Sequence, residues 1–127
     1  MKQQDKDLLL KDLCGRLRYN VQILADTDKT FEGGLIGTLK VINLNRDWIE
    51  FQGVLTPFKF DKIKPYLRPM SSMTEEEMKE YNKAVFKAKI CKDDFATNID
   101  WLNEHHFDFR NLIEKSLALE APEWMYK

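Results

Sequence analysis

Residues 64–77 read KPYLRPMSSMTEEE and separate two halves of the chain that are built differently. Pro65 and Pro69 each remove a backbone amide donor, which is typical of the end of a strand region. Thr74 begins a helix, because Glu77 stands three residues later and completes the pattern of a capping box. The segment therefore predicts a rigid corner that turns a helical second half back across a β-rich first half.

The first half, residues 1–70, has the pattern of one helix followed by short strands. Leucines recur at helical spacing over residues 5–18, and Gly15 weakens the end of this helix, so that it stops near Cys14. A tight helical turn is predicted at residues 61–64. Strand patterns occur at residues 19–23, 35–44, 48–54, 58–60 and 66–68.

Glycine and proline shape the predicted sheet. Gly33, Gly34 and Gly37 allow the second strand to bend, and Pro57 places the fourth strand at an edge. A terminal helix, four curved antiparallel strands, one tight turn and a last short strand are the element order of an SH3-like or Sm-like small barrel. The alternative is an open antiparallel sheet with the helix packed across one face.

The second half, residues 71–127, has good helix-start signals. Thr97 or Asn98 caps a second helix, and Asp108 caps a third, with a junction near His106. The apolar stripe of the third helix consists of Phe109, Leu112, Ile113 and Leu117. We therefore expect helices that pack back on the sheet.

Length and composition fit one folded unit. The 127 residues are 43% hydrophobic and 32% charged, which predicts a single α+β domain over residues 1–127 that can bury a core without metals or disulfides. The formal net charge of −1 excludes a general attraction to nucleic acid or to anionic membranes. Any electrostatic function must therefore be local.

Two cysteines and the first residues bear on the compartment. Cys14 and Cys91 lack CxxC spacing and activating neighbours, so they are predicted to be buried or half-buried structural thiols in a reduced setting. Residues 1–13 mix charges with leucines and contain no long apolar run. We expect a cytoplasmic protein that does not use a membrane.

The segment FKFDKIKPYLR, residues 58–68, is the first candidate binding site. Its candidate residues are Phe58, Lys59, Lys62, Lys64, Tyr66 and Arg68. Basic side chains interleaved with aromatic ones can bind single-stranded nucleic acid, or can dock an acidic protein. The competing interpretation is that alternation turns the aromatic side chains into the core and leaves the lysines as ordinary surface.

Residues 100–108, DWLNEHHFD, are a weaker candidate, for a metal or hydrolytic centre. Asp100, Glu104 and Asp108 recur at every fourth position, with His105 and His106 beside them. Adjacent histidines point about 100° apart on a helix and cannot chelate one ion together. The competing interpretation is a solvated acidic helix. No phosphate-binding loop or nucleophile elbow is present, and no cofactor is expected.

KPYLRPMSSMTEEE together with IDWLNEHHFDFRNLIEKSLALEAP, residues 99–122, resembles an uncharacterised family of short proteins from gut Bacteroidetes and their phages. The resemblance covers the last half of the chain and implies a phage or mobile-element origin, without an activity to carry over. Family members usually have glycine at the positions of Ser116 and Trp124. Serine at position 116 stands where a helix C-cap favours glycine.

These observations favour a non-enzymatic module that binds a protein partner. Pro122 ends regular structure and leaves a tail whose Trp124 and Tyr126 need a docking groove or a partner. The alternatives are single-stranded nucleic-acid binding through residues 58–68 and metal-dependent hydrolysis at residues 100–108.

Overall fold

The computed structural model describes residues 2–26, 34–54, 56–90 and 97–126. Within these residues there are three α-helices and seven strands, which confirms the predicted α+β fold class. The helices are α1 (Gln3–Arg16), α2 (Glu75–Ile90) and α3 (Thr97–Glu104). The strands are β1 (Gln22–Ala25), β2 (Leu35–Asn43), β3 (Trp48–Phe51), β4 (Phe58–Lys59), β5 (Ile63–Pro69), β6 (Phe107–Asp108) and β7 (Leu119–Glu120). Short 3₁₀ helices lie at Leu17–Tyr19, Phe60–Lys62 and Met70–Ser72.

The strands form an open sheet in the order β4-β3-β2-β1-β5-β6, and β7 also pairs with β5. Strands β1 to β5 pair in antiparallel fashion, as predicted, whereas the two-residue strands β6 and β7 run parallel to β5. Among the described strands β4 and β6 do not pair with each other, so the barrel is not closed. The open sheet is therefore the predicted alternative that is present, and its two short parallel strands make it mixed.

The core lies between α1 and one face of the sheet. Leu9 and Leu13 of α1 are fully buried against strand residues, and alternate residues of β5 point inward: Ile63, Pro65 and Leu67. Helix α1 runs on past Cys14 to Arg16, and so does not stop where predicted. A Cβ at Gly15 would lie 2.9 Å from the side-chain nitrogen of Asn103, so glycine here allows α3 to approach α1 closely.

Strand β1 begins later than predicted, at Gln22, because the chain turns sharply before it. Tyr19 ends a 3₁₀ helix, and Asn20 has the left-handed conformation, with φ 58°. This conformation is tolerated by asparagine and ends the helical segment. Tyr19 and Asn20 therefore lie before the strand and are not part of it.

The corner at residues 64–77 has the predicted capping box. The amide of Glu77 donates to Thr74 Oγ1 at 3.1 Å, and the amide of Thr74 donates to Glu77 Oε1 at 3.0 Å. Helix α2 begins at Glu75. The local signal therefore gave both the position and the hydrogen bonds of this helix start.

The predicted third helix, which follows the cap at Asp108, is not present, because residues 109–118 form turns. Asp108 does act as a cap, because Oδ1 accepts the amide of Leu112 and Oδ2 accepts that of Ile113, each at 2.9 Å. Asn111 and Ser116 have positive φ values of 60° and 62°, which limits the segment to a single turn.

That turn ends as a Schellman motif. The amide of Leu117 donates to Leu112 O at 2.9 Å, and the amide of Ser116 donates to Ile113 O at 3.0 Å. Leu112 and Leu117 both lie in the core, which is the apolar contact that accompanies this motif. Ser116 thus occupies the position at which glycine is preferred.

Some predictions fall outside the described residues. These are the role of Gly33, the environment of Cys91, and the side chains of Ala88 and Thr97. The thiol of Cys14 is exposed, so its predicted burial is wrong: it points away from the leucine stripe of α1. None of the described helices is long and apolar enough to cross a bilayer.

Candidate functional site

A cleft of about 410 Å³ lies between the end of α3, the start of β1 and the tail that contains Tyr126. Its walls include Gln22, Arg68, Glu77, His105, His106 and Tyr126. Asn20 and His106, two of the lining residues, have positive φ values, 58° and 64°. Strained residues and shifted pKa values often gather at functional sites, which makes this cleft a candidate site.

Tyr126 forms one wall of the cleft, and its hydroxyl enters the hydrogen-bond ladder between β1 and β5. Ile23 pairs with Pro65 and Leu24 with Lys64, so Gln22 and Tyr66 would form the next pair. The Tyr126 hydroxyl lies between them: it accepts the amide of Gln22 at 2.9 Å and donates to Tyr66 O at 2.7 Å. A side chain far along the sequence thus replaces a backbone hydrogen bond of the sheet.

His106 supports the ring of Tyr126. The two rings stack with 3.7 Å between their centroids. Burial, with a further contribution from the positive charge of Arg16, lowers the pKa of His106 to about 4. Burial also raises the pKa of the Tyr126 phenol above its ordinary value. Both rings are therefore neutral near pH 7.

Arg68 and Glu77 form the opposite wall of the cleft. Arg68 Nη1 and Nη2 donate to the two carboxylate oxygens of Glu77, each at 2.7 Å, and the guanidinium lies 4.2 Å from the centroid of Phe107. The hydrogen bonds from Arg68, with a smaller contribution from the Thr74 amide, lower the pKa of Glu77 to about 2. The pair joins the end of β5 to the first turn of α2.

A buried ionic network lies below the cleft. Asp12 and Arg16, one turn apart on α1, are both fully buried. Arg16 Nε donates to Asp12 Oδ2 at 2.8 Å, and Arg110 Nη1 donates to Asp12 Oδ1 at 2.9 Å. Arg16 Nη2 also donates to the carbonyl of Phe107, and so ties α1 to β6. The sequence interpretation missed this network, although the four-residue spacing of Asp12 and Arg16 is an ion-pair signal.

The structure divides the residues of the 58–68 candidate among different surroundings. Phe58 packs on Phe51, with 5.4 Å between ring centroids. Lys59 lies in a groove of about 200 Å³ that Asp47 and Asp61 also line. Lys62 is half-buried, at the end of a 3₁₀ helix.

The rest of that candidate lies on β5. Lys64, Tyr66 and Arg68 share the sheet face opposite the buried residues of this strand. The backbone of Tyr66 is held by Tyr126, and Arg68 is paired with Glu77. The six residues therefore do not form one continuous basic and aromatic surface.

The residues of the metal candidate also separate. Both carboxylate oxygens of Asp108 cap backbone amides, whereas Asp100 and Glu104 are exposed on α3. His105 stacks on Trp101, with 4.0 Å between ring centroids. His105 Nδ1 also lies 2.9 Å from the carbonyl of Trp101. Within the described ranges, no group of three histidine, cysteine or acidic side chains is placed to hold a metal ion.

A second candidate surface is the outer face of α2. Phe86 and Ile90, one turn apart, are 65% and 61% exposed. The side chains of Tyr81 and Trp101 join the inner face of α2 to α3, with ring centroids 5.5 Å apart. Four exposed lysines lie along the same helix: Lys79, Lys83, Lys87 and Lys89. We call this set, the four lysines with Phe86 and Ile90, the α2 outer face.

The two tail aromatics differ in their surroundings. Tyr126 is docked in the cleft, whereas the side chain of Trp124 is 69% exposed. Tyr126 therefore has a groove within the chain, whereas Trp124 remains mostly exposed. Comparison of the chain with protein-family models, with curated proteins and with solved structures found no match.

Proposed function

We propose that this protein is a non-enzymatic interaction module and that the α2 outer face binds a protein partner. The observation that carries the proposal is the exposure of Phe86 and Ile90, whose side chains leave most of their apolar area in water. Large exposed apolar side chains that lie side by side are typical of binding surfaces. Spacing by one helical turn suits a helix that enters an apolar groove.

The charges of α2 favour a partner whose apolar groove is surrounded by acidic residues. The acidic residues of the helix, Glu75, Glu76, Glu77 and Glu80, all lie in its first half. From residue 81 onward the helix carries lysines and no acidic residue. The partner is therefore expected to present carboxylates around an apolar centre, which gives orientation and a faster, salt-sensitive association.

Nucleic-acid binding through residues 58–68 has less support. Phe60 lies in the core, the ring of Phe58 packs on Phe51, and Arg68 is committed to Glu77. Base stacking needs exposed aromatic faces beside available cations. A phage or mobile-element origin, as implied by the family resemblance, is part of the proposal and suits a small protein that acts by binding.

The experiment is affinity capture from cell lysate, with and without nuclease treatment, using the wild type and three variants of the chain. The wild type and a Trp124→Ala control should retain the same proteins, whereas Phe86→Ala/Ile90→Ala should lose them. Lys83→Glu/Lys87→Glu should weaken capture, and the effect should shrink as salt rises. Equal capture by all forms contradicts the proposal, and loss of the bound material on nuclease treatment would assign the surface to nucleic acid.

A further inference from the structure

Three buried side chains converge where the end of α1 packs against the end of α3. The exposed fractions of Arg16, Asn103 and His106 are 0%, 3% and 9%. One buried atom of each has no hydrogen-bond partner in the described part of the chain: Arg16 Nη1, Asn103 Oδ1 and His106 Nδ1. Buried polar atoms are almost always paired, with protein or with an ordered water, because leaving them unpaired is costly.

Several contacts hold the three residues together. Gly15, next to Arg16, lies directly against the Asn103 amide. The amide of His106 donates to the carbonyl of Asn103 at 3.1 Å, and Arg16 Nη2 donates to the carbonyl of Phe107, the residue after His106. The positive charge of Arg16 also contributes to the lowered pKa of His106. The three residues that carry the unpaired atoms therefore lie close together in the interior.

The donor and acceptor types of these atoms complement one another. Arg16 Nη1 can only donate, Asn103 Oδ1 can only accept, and the nitrogen of a neutral imidazole that carries no proton accepts. A small molecule that accepts one hydrogen bond and donates two would satisfy all of them. Buried waters typically make about three hydrogen bonds of this kind.

We propose that Arg16, Asn103 and His106 form a binding site for one internal water molecule, which fixes the imidazole of His106 beneath Tyr126. An anion fits less well, because it cannot donate to the two acceptors. A metal cation is disfavoured by the positive charge of Arg16. The site is thus specific for a small neutral molecule with both donor and acceptor capacity.

The first test is a crystal structure of the full chain at about 1.5 Å resolution or better. The proposal requires one ordered water within about 3.2 Å of Arg16 Nη1, the Asn103 side chain and His106 Nδ1. A dry site, in which a rotated Asn103 amide pairs directly with Arg16 or His106, would overturn it.

The second test works in solution and does not depend on crystals. Water ¹⁷O relaxation dispersion should show one long-lived internal water in the wild type and its loss in Asn103→Leu, which removes the acceptor and fills space. Asn82→Leu, at an exposed position of α2, is the matched control and should keep the signal. An unchanged signal in folded Asn103→Leu, or no long-lived water in the wild type, contradicts the proposal.

Discussion

The imidazole ring of His106 lies nearly parallel to the phenol ring of Tyr126, with 14° between their planes. His106 belongs to the turn that ends α3, and Tyr126 belongs to the tail. Through this stack the helical half of the chain holds the hydroxyl that bridges β1 and β5. The hydrogen bonds of Tyr126 thus connect the two halves that the corner at residues 64–77 separates, and the stack on His106 supports the ring that makes them.

Replacement of Tyr126 by phenylalanine should destabilise the protein by about 2 kcal/mol, because it leaves the amide of Gln22 and the carbonyl of Tyr66 without their partner. The ring and its stack are retained, so the loss reports the hydroxyl alone. Urea unfolding measures it. Trp124→Phe, at the exposed tail position, is the control and should change the free energy of unfolding by less than about 0.5 kcal/mol. Equal effects of the two changes would contradict the role of the hydroxyl.

The low pKa of His106 predicts acid sensitivity. The unfolded chain takes up this proton near pH 6.5, whereas the folded protein takes it up only near pH 4. The unfolded state therefore binds more protons between these values, and stability is lost as the pH falls from about 6.5 to 4, by about 3 kcal/mol in total.

His106→Asn is the matched variant for this prediction, because asparagine tolerates the left-handed backbone and does not titrate. Its free energy of unfolding should change much less between pH 6.5 and pH 4.5. Below about pH 4.5 both proteins should still lose stability through Glu77, whose folded pKa is about 2. Parallel pH profiles of the two proteins over the upper window would show that His106 is not the responsible group.

Ser116→Gly should stabilise the protein by about 1 kcal/mol. Ser116 holds φ 62° at the C′ position of the turn, where a side chain costs conformational energy that glycine avoids. Gly53→Ala is the converse test: its φ is 76° and a Cβ there would meet nothing within 4 Å, so only backbone strain is added. That change should destabilise by a similar amount. Thermal unfolding of both variants measures the pair, and a destabilised Ser116→Gly would contradict the cap assignment.

Glu77 has two roles that substitution can separate. Glu77→Gln keeps a side chain that can reach back to the Thr74 amide but removes the charge that pairs with Arg68. It should cost about 1 kcal/mol, and Glu77→Ala, which removes both interactions, should cost about 2 kcal/mol. Thr74→Ala, the control for the cap alone, should cost about 1 kcal/mol. If glutamine and alanine at position 77 have the same effect in urea unfolding, the hydrogen bond from the Thr74 amide to residue 77 contributes nothing to stability.

Local signals in the sequence predicted the structure well where the partners are close along the chain. The capping box of Thr74 and Glu77 is a four-residue pattern, and it is present as predicted. Asp108 was identified correctly as a cap. The helix expected to follow it fails because Asn111 and Ser116 adopt positive φ, a choice that their side chains permit but do not impose.

The candidate cleft could not be predicted because its contacts join distant segments. Nothing near Gln22 in the sequence indicates that a tyrosine hydroxyl will complete its hydrogen bonding. Asp12 and Arg16 have the appearance of a surface pair on an amphipathic helix, and their burial depends on Arg110 and Phe107 from the far end of the chain. The helical spacing of the leucines alone therefore does not show that these charges are buried.

The hydrogen bond between Gln22 and Tyr126 closes a loop of 104 residues. Closing so long a loop is entropically costly, so this contact should form after the rest of the ladder and be among the first to open. The amide proton of Gln22 is consequently a natural reporter of tail release. Its exchange with deuterium should be faster than that of Leu24 in the same strand, and its protection measures the free energy that holds Tyr126 in the ladder.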